Sequence, residues 1–285
     1  MSNLSQPEEY NRLVVEDGVY IPQRGDVYDS ANPHAHVNGV NVTKEMPTFD
    51  ADYPYIDNSF KHKFWVFLYY ARARYIIRPL HFLVYGFRGR GYENIKKNKE
   101  LFKNGAMTVC NHVYRWDVAA VMDALGWRRL WFPIWKEQLA GPDGRHMRSM
   151  GGIPVPDSVS ALRKFYAALD YVHNRKEWIH FFAEEARWDY YTPIRPFKKG
   201  AFVFAVRYNM PIVPMAISYR ERKGFLKLFG SDPCVTLNVG EPILPNMELK
   251  DKNAIIDDMR KRTHEAIVKL AGIKENPWAY NETEP

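Results

Sequence analysis

The chain has 285 residues, 46% of them apolar, which is enough to bury a core in one large domain and excludes a disordered or fibrous protein. Two cysteines, Cys110 and Cys234, exclude a disulfide framework and lie too far apart for a CxxC motif, so a reducing, intracellular setting is expected. The net charge of +7 hides an asymmetry: residues 1–60 hold 3 Lys and Arg against 10 Asp and Glu, and the remainder 37 against 23, an excess of 14 positive charges that suits an anionic partner.

Residues 1–60 are acidic, punctuated by Pro7, Pro22, Pro33, Pro47 and Pro54, and show no helical or strand period. They read as a loosely structured extension whose apolar spots, Val14, Val15, Tyr20 and Ile21, can pack on the main domain. Glu8, Glu9, Glu16 and Asp17 interrupt the first thirty residues, so no secretory signal is expected. No stretch reaches the roughly 18 to 20 apolar residues of a spanning helix.

Residues 61–104 mix aromatic and basic side chains, with 11 Lys and Arg against 2 acidic residues from Lys61 to Lys103. Trp65, Phe67 and Tyr69 precede Arg72, Arg74 and Arg78, and Pro79 divides the stretch in two. Rings that sit half in the acyl region beside guanidinium groups that meet phosphates suit a membrane interface. The expectation is an amphipathic helical segment that holds the protein, peripheral or monotopic, on the cytoplasmic face of a membrane.

Residues 105–273 alternate short apolar runs with longer helical patterns, which predicts an α/β domain with a largely parallel central sheet flanked by helices. Strands are expected over 106–110, 130–134, 153–155, 178–182, 212–218 and 235–239. Ser158 is placed to cap a helix whose Leu162, Phe165, Leu169 and Val172 share one face. A second amphipathic helix, with Ile255, Ile256, Met259, Ile267 and Leu270, closes the domain near residue 271, and residues 274–285 form a tail.

Asn111-His112-Val113-Tyr114-Arg115-Trp116-Asp117 follows the first of these strands and opens a helical pattern, so His112 falls at the carboxyl end of a strand, where open α/β sheets bind ligands. Nine His and sixteen Asp give about half of one such His-Asp pair by chance, so the setting carries the argument. Five residues along a regular helix turn through roughly 140°, and the two side chains meet only if His112 precedes the first turn. A carboxylate on one imidazole nitrogen then fixes the tautomer and leaves the other nitrogen to take a proton from an alcohol.

Further blocks follow in order: Trp135-Lys136-Glu137, Gly151-Gly152-Ile153-Pro154-Val155, Phe182-Ala183-Glu184-Glu185-Ala186-Arg187, Arg195-Pro196-Phe197-Lys198-Lys199-Gly200 and Pro211-Ile212-Val213-Pro214. Together with His112 and Asp117 they make residues 62–270 resemble the phospholipid-synthesis acyltransferases typified by 1-acyl-glycerol-3-phosphate acyltransferase. The resemblance implies His112 as general base, Asp117 as its orienting partner, and an acceptor site drawn from Glu184, Arg187, Lys136, Arg195, Lys198 and Lys199. It further implies transfer of an acyl group from an acyl thioester, acyl-CoA or acyl carrier protein, to a lysophospholipid hydroxyl.

Two departures bear on the acceptor. Ala183, Glu185 and Ala186 replace the Pro, Gly and Thr of the family's third motif, and Asp157 stands where its second motif usually ends in arginine. An acceptor other than 1-acyl-sn-glycerol-3-phosphate therefore stays open: glycerol 3-phosphate, a headgroup-bearing lysolipid or an amino-lipid. So does a catalytically silent lipid-binding homologue. The remaining histidines show no zinc spacing, so neither a metal nor a cofactor is expected, and no nucleic-acid module is present.

Overall fold

The computed structural model describes residues 13–16, 19–22, 28–29, 31–37, 48–50, 52–156 and 158–278. In chain order the elements are β1 (Val14–Val15), α1 (Phe60–Arg72), a π-helical turn (Ala73–Ile77), α2 (Arg78–Tyr85), β2 (Arg88–Arg90), α3 (Tyr92–Lys97), β3 (Met107–Cys110), α4 (Asp117–Leu125), β4 (Leu130–Ile134), α5 (Lys136–Ala140), α6 (Gly144–Met150), β5 (Gly152–Pro154), α7 (Val159–Asn174), β6 (Trp178–Phe182), α8 (Gly200–Arg207), β7 (Ile212–Arg220), a 3-10 turn (Gly224–Phe229), β8 (Cys234–Val239), α9 (Lys252–Leu270) and β9 (Ile273–Glu275).

Seven strands form one sheet in the order β2-β8-β7-β3-β6-β4-β5, and β1 pairs with β9 in a separate ribbon. Every pairing in the large sheet is parallel except β7 with β8. Parallel strands are covered on both faces and read as continuous apolar runs, which is why the six expected strands lie where the periodicity places them. The exposed Arg88–Arg90 strand has no apolar alternation and joins the sheet edge through its backbone pairing with Thr236–Asn238.

One face of the sheet presents Val109, Ile179 and Ile212 to α7, α8 and α9, which answer with Phe165, Leu169, Phe202, Met259 and Ile267. The other presents Cys110, Val213, Met215 and Ile217 to α4, whose Ala120, Val121 and Leu125 are buried there. Burial of each large aliphatic side chain contributes about 1.5–3 kcal/mol. The Ser158 hydroxyl caps α7 by accepting from the Ala161 N–H at 3.2 Å, and the Asp251 carboxylate caps α9 through Ala254 at 2.7 Å.

Pro79 does not split the stretch before it into two separate halves. It sits in the first turn of α2, and the chain passes from α1 to α2 through the π turn without leaving helical geometry. Proline removes a donor and crowds the preceding turn, and a widened turn absorbs both effects. Among the described residues, no helix is long and apolar enough to cross a membrane.

Candidate active site

β3 is fully buried and ends at Cys110, level with Phe182 of β6 and Met215 of β7. Beyond it the buried Asn111 clamps the neighbouring strand: its amide donates to the Ile217 carbonyl at 3.0 Å and accepts from the Ile217 N–H at 2.7 Å. His112 thus leaves the carboxyl edge of the sheet from a fixed root. Four residues of turn follow, and α4 begins at Asp117 itself.

That offset brings His112 and Asp117 together. His112 Nδ1 and Asp117 Oδ2 share a short hydrogen bond, while Asp117 Oδ1 accepts from the Val118 N–H at 2.8 Å. The carboxylate is almost wholly buried, whereas the histidine side chain keeps 18% of its surface exposed. The imidazole lies against the Phe182 ring with centroids 4.0 Å apart and planes 13° from parallel. With Nδ1 occupied, Nε2 is the nitrogen left to meet a substrate proton.

The main chain of His112 is held as firmly as its ring. Its N–H donates to Glu184 Oε2 at 2.8 Å, its carbonyl accepts from Trp188 N–H at 2.9 Å, and Val113 carbonyl accepts from Tyr190 N–H at 2.9 Å. The phenol of Tyr219 also donates to the Val113 carbonyl, at 2.5 Å. From the opposite side, the His81 ring of α2 hydrogen-bonds Tyr114 Oη at 2.7 Å, and Trp116 Nε1 donates to Tyr85 Oη at 3.1 Å. The turn carrying the dyad is therefore bolted to the aromatic, basic helix.

Glu184 and Arg195, expected at the acceptor, are instead fully buried against each other. Glu184 accepts from Arg195 Nη2 at 3.0 Å and from the Arg195 N–H at 2.8 Å. The guanidinium also donates to the Pro33 carbonyl at 2.7 Å and to the Ala186 carbonyl, and lies over the Trp188 ring at 4.2 Å. A burial this complete leaves neither side chain a surface for a lipid, so the pair holds the third-motif loop and the His112 backbone in place.

The other expected cations lie elsewhere. Arg187 pairs with Asp189 at 3.0 Å, both side chains about one-third exposed. Burial pushes the Asp189 carboxyl up, and the nearby Asp117 adds to the rise while Arg187 and His112 oppose it, so this ion pair lies within electrostatic reach of the dyad. Lys136 opens α5 directly after β4, at the same carboxyl edge, with its ammonium 3.9 Å from Glu137. Lys198 is exposed, and Lys199 reaches Asp257 of α9 at 3.8 Å. Asp157 lies outside the described residues.

Part of the acidic extension belongs to this site, contrary to its reading as loose. Tyr28 stacks on Trp188 at 4.8 Å, the Ala35 carbonyl accepts from Trp188 Nε1 at 2.8 Å, and His34 Nδ1 lies 3.1 Å from the Glu184 carbonyl. His36 stacks on Trp135 at 4.4 Å. The described residues from 28 to 37 thus strap the loop that carries Glu184. The roles of Asn111 and Trp188 escaped the sequence reading because they depend on contacts across the sheet, the adjacency of Asn111 to His112 being the one local signal; Phe182 was read as the head of the third block, without its stacking on His112.

Gly151 has a structural reason of its own. Its φ is 118°, and a Cβ there would stand 2.0 Å from the Leu130 carbonyl oxygen, so the close return of β5 onto β4 requires glycine. Among the described residues, no group of three or more His, Cys, Asp or Glu side chains is placed to hold a metal ion.

The family model described as acyltransferase matches residues 87–218. No curated protein matches the chain. A solved structure that the chain is similar to is the 1-acyl-sn-glycerophosphate (LPA) acyltransferase from Thermotoga maritima, with 18% identity, a TM-score of 0.49, and coverage of 76% of this chain and 84% of that one. The matched segment runs from just before β2 through most of β7 and contains the His112–Asp117 pair, and this match supports an acyltransferase enzyme.

Proposed function

We propose that this acyltransferase works at a membrane surface on glycerolipids, moving a fatty acyl group from an acyl thioester to the hydroxyl of a lysophospholipid, foremost 1-acyl-sn-glycerol-3-phosphate. The single observation that carries the reading is the His112–Asp117 pair, with the carboxylate buried on Nδ1 and the ring edge left exposed at the carboxyl end of the sheet. His112 Nε2 takes the hydroxyl proton as the alkoxide oxygen attacks the thioester carbonyl. Asp117 stabilises the imidazolium that forms. The tetrahedral oxyanion collapses, the C–S bond breaks, and the proton passes from His112 to the departing thiolate.

N–H groups of the turn between Val113 and Trp116 are the reading's donors to that oxyanion. Lys136, Arg187 and Lys198 are its cations for an acceptor phosphate, with Arg187 offering a planar fork and the lysines point charges. Glu184 and Arg195 act as positioning residues. The exposed Trp65 and Phe67 of α1, with Arg72, Arg74 and Arg78, rest on the bilayer and present its lysolipid to the turn that α2 touches, whereas Tyr69, expected beside them, packs inward on the core near His146.

The test is the purified full chain with anionic liposomes carrying mixed lysolipid acceptors, supplied with acyl-CoA or acyl-loaded carrier protein, the products read by mass. Acylated lysophosphatidic acid formed by the native chain and lost in His112→Ala is the expected result. Retained turnover in that variant removes His112 as the base, and no product from any acceptor in the native chain favours a silent lipid-binding homologue.

A further inference from the structure

The connection from β7 to β8 leaves the sheet at the carboxyl end of β7. Because β7 runs parallel to β3, that is the same edge from which His112 emerges. Its central part is the 3-10 turn Gly224–Phe229, with the sequence GFLKLF. Leu226 turns inward, while Phe225, Leu228 and Phe229 are 58%, 85% and 43% exposed. Single exposed apolar side chains are ordinary; three in one six-residue turn form a patch that calls for a partner.

The turn is firmly held. Arg222 is buried, and its guanidinium donates to the Asp232 carbonyl at 2.6 Å, to the Leu226 carbonyl at 2.9 Å and to the Val84 carbonyl of α2 at 2.5 Å. One side chain thereby fastens the turn to the last residues of α2, a helix that itself exposes Leu80 and Phe82. The helix and the turn are therefore neighbours, and each exposes apolar side chains. Lys223 precedes the turn and Lys227 lies within it, and residues 60–92 contain 7 Lys and Arg and no Asp or Glu.

We propose that the 3-10 turn Gly224–Phe229 is a second membrane-inserting element and that its occupant is an anionic bilayer. This rests on the reading that α1 and α2 lie on the membrane. Two identical basic patches repel across a two-fold axis, whereas anionic headgroups neutralise them as the apolar tips enter the acyl region. One helix alone leaves the protein free to roll about its axis. A second contact on a different element removes that freedom and fixes the His112 edge relative to the lipid surface.

The experiment places an environment-sensitive fluorophore on the full chain at Leu228→Cys, at Phe67→Cys in α1 and at Glu265→Cys on α9. Native Cys110 and Cys234 are buried, so the label goes to the new thiol. With phosphatidylcholine–phosphatidylglycerol vesicles, the emission should shift to the blue at 67 and 228 and stay aqueous at 265. The triple variant Phe225→Ser, Leu228→Ser, Phe229→Ser should weaken vesicle partitioning by about tenfold or more. A shift at 67 with none at 228 overturns the second element and leaves the helix reading standing, whereas no shift at either position overturns both. A shift at 228 without vesicles that grows with protein concentration identifies a second copy as the occupant and also overturns the proposal.

Discussion

Glu184→Gln separates a positioning carboxylate from one that binds the acceptor. The native carboxylate is wholly buried and accepts from the His112 N–H at 2.8 Å, the Arg195 N–H at 2.8 Å and Arg195 Nη2 at 3.0 Å. An amide fills the same volume but offers one oxygen, so its NH2 faces a donor in either orientation, and the guanidinium loses its counter-charge where water is excluded. Removal of one partner of a buried pair costs about 3–5 kcal/mol. For a chain of this size that lowers Tm by roughly 5–8 °C. Loss of the acceptor for the His112 N–H also displaces the base, and a shift of about 1 Å costs on the order of 100-fold in rate. Thermal unfolding by circular dichroism and steady-state kinetics with varied acceptor, well below the new Tm, supply both readouts. The expected pattern is a lower Tm, a lower kcat and an acceptor KM within about twofold of the native value. An unchanged Tm with an acceptor KM raised tenfold would refute the reasoning and return Glu184 to the acceptor.

Asp117→Asn keeps an oxygen for the Val118 N–H but loses the charge that stabilises the imidazolium and fixes its tautomer, so kcat should fall by about 10³–10⁴-fold with the fold intact; single-turnover acyl transfer and far-ultraviolet circular dichroism check the two halves. Acid should destabilise the protein through its buried histidines. Burial lowers His81 to about 4 and His180 to about 3, below the roughly 6.5 of an unfolded histidine. Between those values the unfolded chain binds more protons, so the stability is fully present above the unfolded pKa and is lost as pH falls toward the folded one. From pH 6.5 to 5 each histidine accounts for about 1.6 kcal/mol. Denaturant midpoints at the two pH values measure the loss, and His81→Gln should reduce it; an equal loss in that variant would assign the effect to other groups.

The central strands and the two long amphipathic helices were legible because their physics is local. Trp178–Phe182 is a continuous run of large side chains that needs cover on both faces, and Ser158 announces the helix it caps. The spacing of His112 and Asp117 was legible for the same reason, since strand, short turn and helix start follow one another along the chain. Arg88–Arg90 was not legible, because an exposed edge strand is chosen by the backbone it pairs with.

The sequence by itself determined the α/β class, the order of the central strands and the spacing that lets His112 meet Asp117, all properties of neighbouring residues. The tertiary structure alone decided which charged groups of the third motif are sealed and which stay near water. Glu184 and Arg187 differ by three positions, yet one is fully buried and the other about one-third exposed. The difference arises because Pro33, His34 and Ala35, some 150 residues earlier in the chain, close over Arg195, Glu184 and Trp188. A buried charge must find its partners inside the protein, and those partners come from segments whose proximity exists only after folding.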